Sequence, residues 1–456
     1  MEKESKDEIL GENEVQRVSA PTKSPSRQRT WVAVLLVVCV ATASFFGGFF
    51  ARWYSLDDGL RTLKKIKDGI DDTYYQEVDD DAFYSALFQT VNDEILDDYS
   101  YYMTAEEYNE SVQGMRGKKS GVGLAFLRDK ATGVTSMEVF SVCGNSPAEK
   151  AGVCAGDVVV GFGKTETGIK ESDSFADFAT FLEGVDENTE IFLRLRSRES
   201  ERTVSMRRTT YVENYVFYRT DNTAYALLGE NASEWTETGN PLPALGKDTA
   251  YIRLLQFSGN AKDGFDRAMA QFKTDGKKNL VLDLRGNGGG YVGVMRSIAS
   301  YFCKNATEKT PVVAVADFGD DREEYRADRN VYADYFLGDS KIYVLADAFT
   351  ASASESLIGC MLDYGALDFD GVCLVGRNGK YKTFGKGVMQ ETSIISLSKQ
   401  DALKLTTAKI VWPTSNTSIH GRGILPKDGA LTVDEEKDFE KETQVALARL
   451  LGTGTR

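Results

Sequence analysis

Residues 341–365 read KIYVLADAFTASASESLIGCMLDYG. An apolar run that reads as a buried strand gives way to small residues, and an apolar-periodic helix comes next. Ser352 falls in the turn, at or just before the helix N-terminus. A hydroxyl there can stand clear of the sheet. The first N–H groups of the helix then face any negative charge that develops beside it. The plainer alternative makes Ser352 or Ser354 an N-cap and nothing more. On this stretch alone that alternative is the better one.

The same strand–helix rhythm runs outward from it. AYIRLLQF (250–257) reads as a strand and DGFDRAMAQFK (263–273) as a helix. NLVLDLR (279–285) is a strand, RGNGGG a Gly-rich turn, and VGVMRSIASYFC (292–303) a helix. PVVAVAD (311–317) and ALKLTTAKIVW (402–412) are further strands. Such alternation predicts a layered α/β domain over 210–440. Residues 220–248 break the rhythm and read as an insertion or long loop, and 441–456 read as a C-terminal tail.

Upstream the pattern changes. SGVGLAFL, TSMEVFSV, DVVVGF and EIFLRLRS give short strands, with helices near 146–152 and 174–182, so 119–209 form a β-rich module. Residues 55–118 carry apolar residues at helical spacing: Leu60, Leu63, Ile66 and Ile70, then Phe83, Leu87, Val91 and Ile95. Thr104 is placed to cap a helix starting AEEYNESV.

Composition narrows the chemistry. The chain has 456 residues and a net charge of −15, which argues against nucleic-acid binding. It has a single histidine, His420, so a multi-His zinc site is impossible and no metal is expected. A Ser-His-Asp triad would have to use that residue, which lies in the Gly-rich stretch SIHGRGILP. Of six cysteines, Cys39 lies in an apolar stretch and five come after it. An odd number cannot all pair within one chain; Cys143–Cys154 is conceivable, but free thiols are the expectation.

Residues 1–30 are polar and read as a disordered tail. Residues 31–50, WVAVLLVVCVATASFFGGFF, carry no charge and are long enough to span a bilayer. Trp31, Trp53 and Tyr54 sit where interfacial aromatics belong, so 31–54 are expected to be an uncleaved transmembrane helix rather than a signal peptide. Arg17, Lys23, Arg27 and Arg29 precede it, and Arg52, Arg61, Lys64 and Lys65 come after it, so charge leaves the topology open.

Two further segments carry chemistry. In YKTFGKGVMQ (381–390), Lys386 lies between glycines beside apolar Phe384 and Val388. If the stretch is a strand, 386, 388 and 390 share one face and Gln390 reaches toward the Lys386 amine. A desolvated lysine gives up its proton more readily and becomes a general base; a surface lysine in a turn is the commoner fate. In LVLDLRGNGGG (280–290), backbone amides of the Gly-rich turn can meet an anion. Gly288, Gly290 and Gly293 formally match a dinucleotide fingerprint, but no acid stands at the required distance. A serine, a lysine and an oxyanion loop together describe a serine peptidase or amidase that uses no histidine.

Taken in order, LDDYSYYMTAEEY, SGVGLAF, SPAEKAGVCAGDVVV, YIRLLQFS, LVLDLRGNGGG, TASASE, TFGKGVMQ and LKLTTAKIVWP with SIHGRGILP resemble the carboxy-terminal processing peptidases. These are Ser-Lys endopeptidases with an embedded PDZ domain. The resemblance implies an α/β fold plus a β-rich PDZ, with a crotonase- or ClpP-like layered protease domain. It implies Ser352 as nucleophile, Lys386 as general base and Gln390 as the residue that orients it. Ala353 and Gly289 would form the oxyanion hole, while Ser354 and Glu355 support the turn. Gly121, Val122, Gly123 and Leu124 would bind a C-terminal carboxylate as the peptide joins a sheet edge.

No cofactor is implied. The implied partners are unfolded or C-terminally exposed polypeptides and the membrane, with no nucleic acid; a homo-oligomer or regulatory partner is left open. The implied place is a bacterial cell membrane, single-pass, with the catalytic domain outside the cytoplasm. Two features depart from the family. Ser352 and Lys386 are 34 residues apart, with extra residues around 365–380, and 220–248 is long. The rival readings are a catalytically degenerate PDZ scaffold and a crotonase-like acyl-CoA enzyme.

Overall fold

The computed structural model describes residues 27–128, 134–154, 156–197, 200–229, 231–377, 379–396, 398–436 and 438–452, with residues 27–30, 33, 49–55, 127–128 and 140–141 as backbone alone. The expected tail at 1–30 therefore lies almost wholly outside the described residues. The chain forms two compact units that divide between Leu87 and Phe88.

The first unit is helical: α1 (Arg27–Ser55), α2 (Asp58–Thr73) and the start of α3 (Asp80–Thr90). Helix α1 has 29 residues, about 43 Å at the rise of an α-helix. Trp31, Leu35, Val37 and Phe45 on it are exposed. Among the described residues no helix is long and apolar enough to cross a membrane. The run with described side chains beyond residue 33 is 34–48, shorter than the uncharged stretch of the sequence. Asp57 caps α2 by accepting from the Leu60 N–H at 2.8 Å.

The second unit opens with β1 (Tyr101–Met103) and α4 (Ala105–Met115). Thr104 caps α4, and Glu107 returns the bond to the Thr104 N–H in a capping box. The β-rich module contains β2 (Lys118–Gly121), β3 (Leu124–Arg128), β4 (Thr135–Val142), α5 (Pro147–Lys150), β5 (Val158–Gly163) and β6 (Lys170–Glu171). It continues through α6 (Phe175–Glu183), β7 (Glu190–Ser197), β8 (Ser200–Arg207) and β9 (Thr209–Val212). Its sheet runs β3-β4-β5-β7-β8, with β6 on β5, and β3 is an edge strand. Val139, Val159, Phe178, Ile191, Leu193 and Leu195 fill its core. Strands β2 and β9 pair as a separate two-stranded ribbon at the two ends of the module.

The third part supplies two sheets. Strands β10 (Val216–Arg219), β11 (Ala224–Leu228), β12 (Glu234–Glu237), β13 (Thr249–Leu254), β14 (Asn279–Asp283), β17 (Ile342–Asp347), β18 (Val372–Val375) and β21 (Leu431–Val433) form an eight-stranded sheet. Its order is β12-β11-β10-β13-β14-β17-β18-β21, and the run from β13 to β21 is parallel. Helices α7 (Ala261–Thr274), α8 (Val292–Ala299) and α10 (Ala353–Asp363) contribute Phe265, Ile298 and Leu357 to its main core. Strands β15 (Val312–Asp317), β16 (Arg322–Arg326), β19 (Val388–Ile394) and β20 (Ala402–Val411) join β1 in a second sheet, with short α9 (Tyr332–Tyr335) between β16 and β17.

Three expectations change. Residues 220–248 are not a loop: β11 and β12 pair on the edge of the large sheet, and Tyr225 stacks on Trp235 with centroids 5.7 Å apart. Residues 365–380 include β18, a fully buried strand between β17 and β21. Residues 441–456 are not simply a tail. Helix α11 (Phe439–Leu451) buries Ala446, Leu447 and Leu450 against Tyr251, Val281 and Leu345. Periodicity underestimates this helix, because Glu442 and Thr443 on its buried face are polar. All six cysteines are free, so no Cys143–Cys154 bridge exists.

Candidate active site

Strand β17 ends at Asp347, and the chain turns through Phe349–Ala351 into α10. Ser352 occupies the corner at φ 58°, ψ −117°. That is positive-φ backbone for a residue with a side chain, and it is held by surrounding bonds. The corner is not an ordinary N-cap, whose backbone would be extended. Thr350 donates its hydroxyl to the Leu284 carbonyl at 2.8 Å, and the Ala351 N–H donates to the Asn287 carbonyl at 3.0 Å. Ser354 also donates to the Asn287 carbonyl, at 2.9 Å, so its hydroxyl is spent on structure.

Glu355 fixes the rest. It is fully buried one helical turn beyond Ser352. Its Oε2 accepts from the Ser352 N–H at 3.0 Å and from the Lys386 N–H at 2.9 Å. Its Oε1 accepts from the Thr383 hydroxyl at 2.5 Å and the Gly385 N–H at 2.8 Å. One carboxylate therefore pins the serine corner to the lysine loop. Burial holds its carboxyl above the ordinary glutamate range despite these four donors. The sequence marks Glu355 only as support for the turn, because the partners that define its role lie some thirty residues away.

Lys386 is half-buried, with its amine 4.6 Å from the centre of the Tyr99 ring. Burial lowers its proton affinity, the Lys404 cation lowers it further, and Asp97 opposes both. Replacing Lys404 by glutamine removes one cation that disfavours the ammonium form. Proton affinity at Lys386 then rises, and the acidic limb of a pH–rate profile is expected to move to higher pH; titrating casein hydrolysis checks this.

Gln390 lies on β19 beside a break in its pairing. Strand β19 starts at Val388, beyond the lysine, and its pairing with β20 shifts between Met389 and Gln390. That bulge breaks the simple alternation of faces. The Gln390 amide nitrogen donates to the Thr406 hydroxyl at 3.2 Å.

The Gly-rich turn lies against the serine corner. A Cβ on Gly289, at φ +104°, would stand 2.8 Å from Ser352 Cβ and 3.0 Å from the Ala353 nitrogen. Only glycine fits. Its N–H, expected as an oxyanion donor, is committed to Asn287 Oδ1 at 2.9 Å. Ala353, as the first residue of α10, has no acceptor within its helix for its N–H. Gly289→Ala is expected to abolish casein hydrolysis, because the clash and the positive φ both displace Ser352; mass spectrometry and circular dichroism separate that from misfolding.

His420 does not enter by its ring, which is exposed. Its backbone packs on the lysine loop: a Cβ on Gly387 would meet the His420 nitrogen at 2.8 Å. The Gly421 N–H donates to the Gly385 carbonyl at 2.8 Å. In the β-rich module, Gly121–Leu124 lead into edge strand β3. A Cβ on Gly123 would strike Ser146 Cβ at 2.1 Å, so the turn needs glycine there. Phe126 on β3 meets Phe175 and Phe178 of α6, with centroids 5.4 and 5.7 Å away. A cleft of about 580 Å³ is lined by Asp93, Asp97, Tyr102 and Glu107 but not by Ser352 or Lys386.

A buried ionic chain underlies the turns. Arg285, just before the Gly-rich turn, reaches Glu442 of α11 at 2.7 Å and Asp283 at 2.5 Å. Arg377 bridges Glu442 at 2.6 Å and Asp347 at 3.0 Å. Asp347 in turn accepts from the Gly286 and Phe349 N–H groups, each at 3.0 Å.

Known proteins share much of this sequence and fold. Residues 248–428 match the model of peptidase family S41. The chain is 25% identical over 367 residues to a CtpA-like serine protease of Staphylococcus epidermidis, covering 80% of this chain and 64% of the relative. It is 28% identical over 336 residues to the chloroplastic C-terminal processing peptidase of Tetradesmus obliquus, covering 73% and 65%. The crystal structure of an S41 protease from Bacteroides fragilis shares the fold at TM-score 0.53 and 16% identity, over 84% of this chain and 92% of that one. By these matches the chain is similar to serine-type peptidases of family S41, with carboxy-terminal processing peptidases among its relatives. It spans about 64% of the length of the first of these relatives.

Proposed function

We propose that this chain is a membrane-anchored endopeptidase that cleaves polypeptides with Ser352 and Lys386 and captures their C-termini on a PDZ-like module. The observation that carries this is the shared Glu355 oxygen, which ties the Ser352 and Lys386 amides to one atom. Neutral Lys386 takes the Ser352 hydroxyl proton as Oγ attacks a peptide carbonyl. The oxyanion draws on the Ala353 N–H and on the Gly-rich turn, whose Gly289 N–H must first leave Asn287. Lys386 passes its proton to the departing amine. Water, deprotonated by the same amine, then releases the acyl group from Ser352.

Two features support capture and tethering. The Gly121–Leu124 turn at the head of an edge strand suits a carboxylate followed by an added strand. The uncharged stretch 31–50 on a 29-residue helix suits a bilayer anchor, with the peptidase outside the cytoplasm of a bacterial cell. Hydrolysis of casein by the full chain in mild detergent tests the chemistry. Wild type should cleave while Ser352→Ala and Lys386→Ala stay silent. Activity surviving Ser352→Ala refutes the reading.

A further inference from the structure

The catalytic lysine of the proposed dyad is not served by its own loop alone. A segment almost 300 residues earlier, Asp97–Ser100, lies against it. The Thr406 hydroxyl on β20 sits at the centre of this contact. It accepts from Gln390 Nε2 at 3.2 Å and from the Ser100 hydroxyl at 3.3 Å. Its own proton goes to Asp97 Oδ1 at 3.3 Å. The Thr406 N–H donates to Ser100 Oγ at 2.8 Å, which locks the segment to the strand. Asp97 Oδ1 also accepts from the Tyr99 N–H at 3.0 Å, and that turn lays the Tyr99 ring over Lys386.

The donor and acceptor inventory fixes the direction of the chain of bonds. A carboxylate only accepts, so the Thr406 proton points at Asp97 and its lone pairs face Gln390 and Ser100. Gln390 must therefore present its NH₂ to Thr406. Its carbonyl oxygen is left as the acceptor for an amine. Burial works against ionisation of Asp97, but its hydrogen bonds from Ser100, Thr406 and Tyr99 prevail and keep it a carboxylate.

We propose that Thr406, oriented by Asp97, is a positioning residue that holds the Gln390 amide with its oxygen toward the Lys386 amine, and that Tyr99 closes the opposite side. This rests on the Ser-Lys reading. It assigns a role to the 97–100 segment, which lies outside the matched span 248–428. It also explains why Gln390 sits beyond a bulge: the irregularity aims the amide at β20. The charged and titratable groups around the Lys386 amine are Tyr99, Asp97 and Lys404.

The test uses the full chain in mild detergent with labelled casein, over a range of pH. Thr406→Val keeps the shape and removes the hydroxyl. It should lower kcat by roughly ten- to a hundredfold, with KM within about twofold. Thr406→Ser should restore kcat to within about threefold of wild type. Asp97→Asn removes a negative charge that favours the ammonium, so the acidic limb should move to lower pH, a change that packing alone would not cause. Wild-type kcat in Thr406→Val overturns the proposal, as does a Ser variant as weak as Val, or an unmoved limb in Asp97→Asn. Hydrolysis that is no faster in wild type than in Ser352→Ala overturns the Ser-Lys reading itself, and the relay with it.

Discussion

Lys386→Met is expected to lower casein hydrolysis by about a thousandfold or more while the protein stays folded. General-base assistance is worth roughly 10²–10⁴ in rate, and the same amine is asked to act in both acylation and deacylation. Methionine keeps much of the length and apolar bulk of the side chain. The loop itself is held through backbone: the Lys386 and Gly385 N–H groups donate to Glu355, and Gly421 donates to Gly385. None of these bonds uses the amine. Removing a half-buried cation also relieves the desolvation that depresses its proton affinity. Thermal unfolding should therefore occur at or slightly above the wild-type midpoint. A variant that loses activity together with its fold would show the lysine to be structural.

Glu442→Ala is expected to have the largest effect on stability, about 3–5 kcal/mol, because it removes the buried carboxylate that Arg285 and Arg377 share and leaves two cations to Asp283 and Asp347 alone. Arg285 and Glu442 are each only 1% exposed, so water cannot replace the lost oxygen atoms. Burial alone would raise the Glu442 carboxyl, but the bonds from Arg377 and the neighbouring cations hold it below the ordinary range. A carboxyl depressed in the folded state stabilises fully above the range where it titrates unfolded, and that stabilisation is lost as pH falls through the depressed value. Wild type should therefore lose stability faster than Glu442→Ala on acidification below the ordinary glutamate range. Denaturant unfolding of both proteins at neutral and acidic pH checks this. The loss should reach the candidate site, since the same chain of ions braces Gly286 in the Gly-rich turn and Asp347 before the Ser352 corner.

The parts of this molecule that sequence makes legible are those whose meaning is local. The strand–turn–helix at 341–365 predicts a serine corner, and the structure adds only its strained φ. Thr104 announces its helix by residue type and spacing, because a capping box closes within four residues. Gly289 is conspicuous because a Gly-rich turn after a strand has few other uses. What stays hidden depends on distant partners. Glu355 looks like a helix acid until Thr383, Gly385 and Lys386 arrive to donate to it. Tyr99 meets Lys386, and Thr406 meets Gln390, across elements far apart in the chain. Helix α11 hides for a different reason: Glu442 and Thr443 on its buried face are polar, so apolar periodicity underestimates it. For Gln390 the period-two argument does not apply, since β19 starts beyond the lysine and a bulge shifts its pairing, so the Thr406 partner is not legible locally.

The claim that Ser352 is a nucleophile served by Lys386 is tested most directly by covalent labelling. The full chain is incubated with an alkyl fluorophosphonate, and the adduct is located by peptide mass spectrometry. The account predicts a single adduct on Ser352, formed faster as pH rises and slowed by about a thousandfold in Lys386→Met. An adduct on another serine, or a Ser352 adduct that forms as fast without the lysine as with it, would contradict the account.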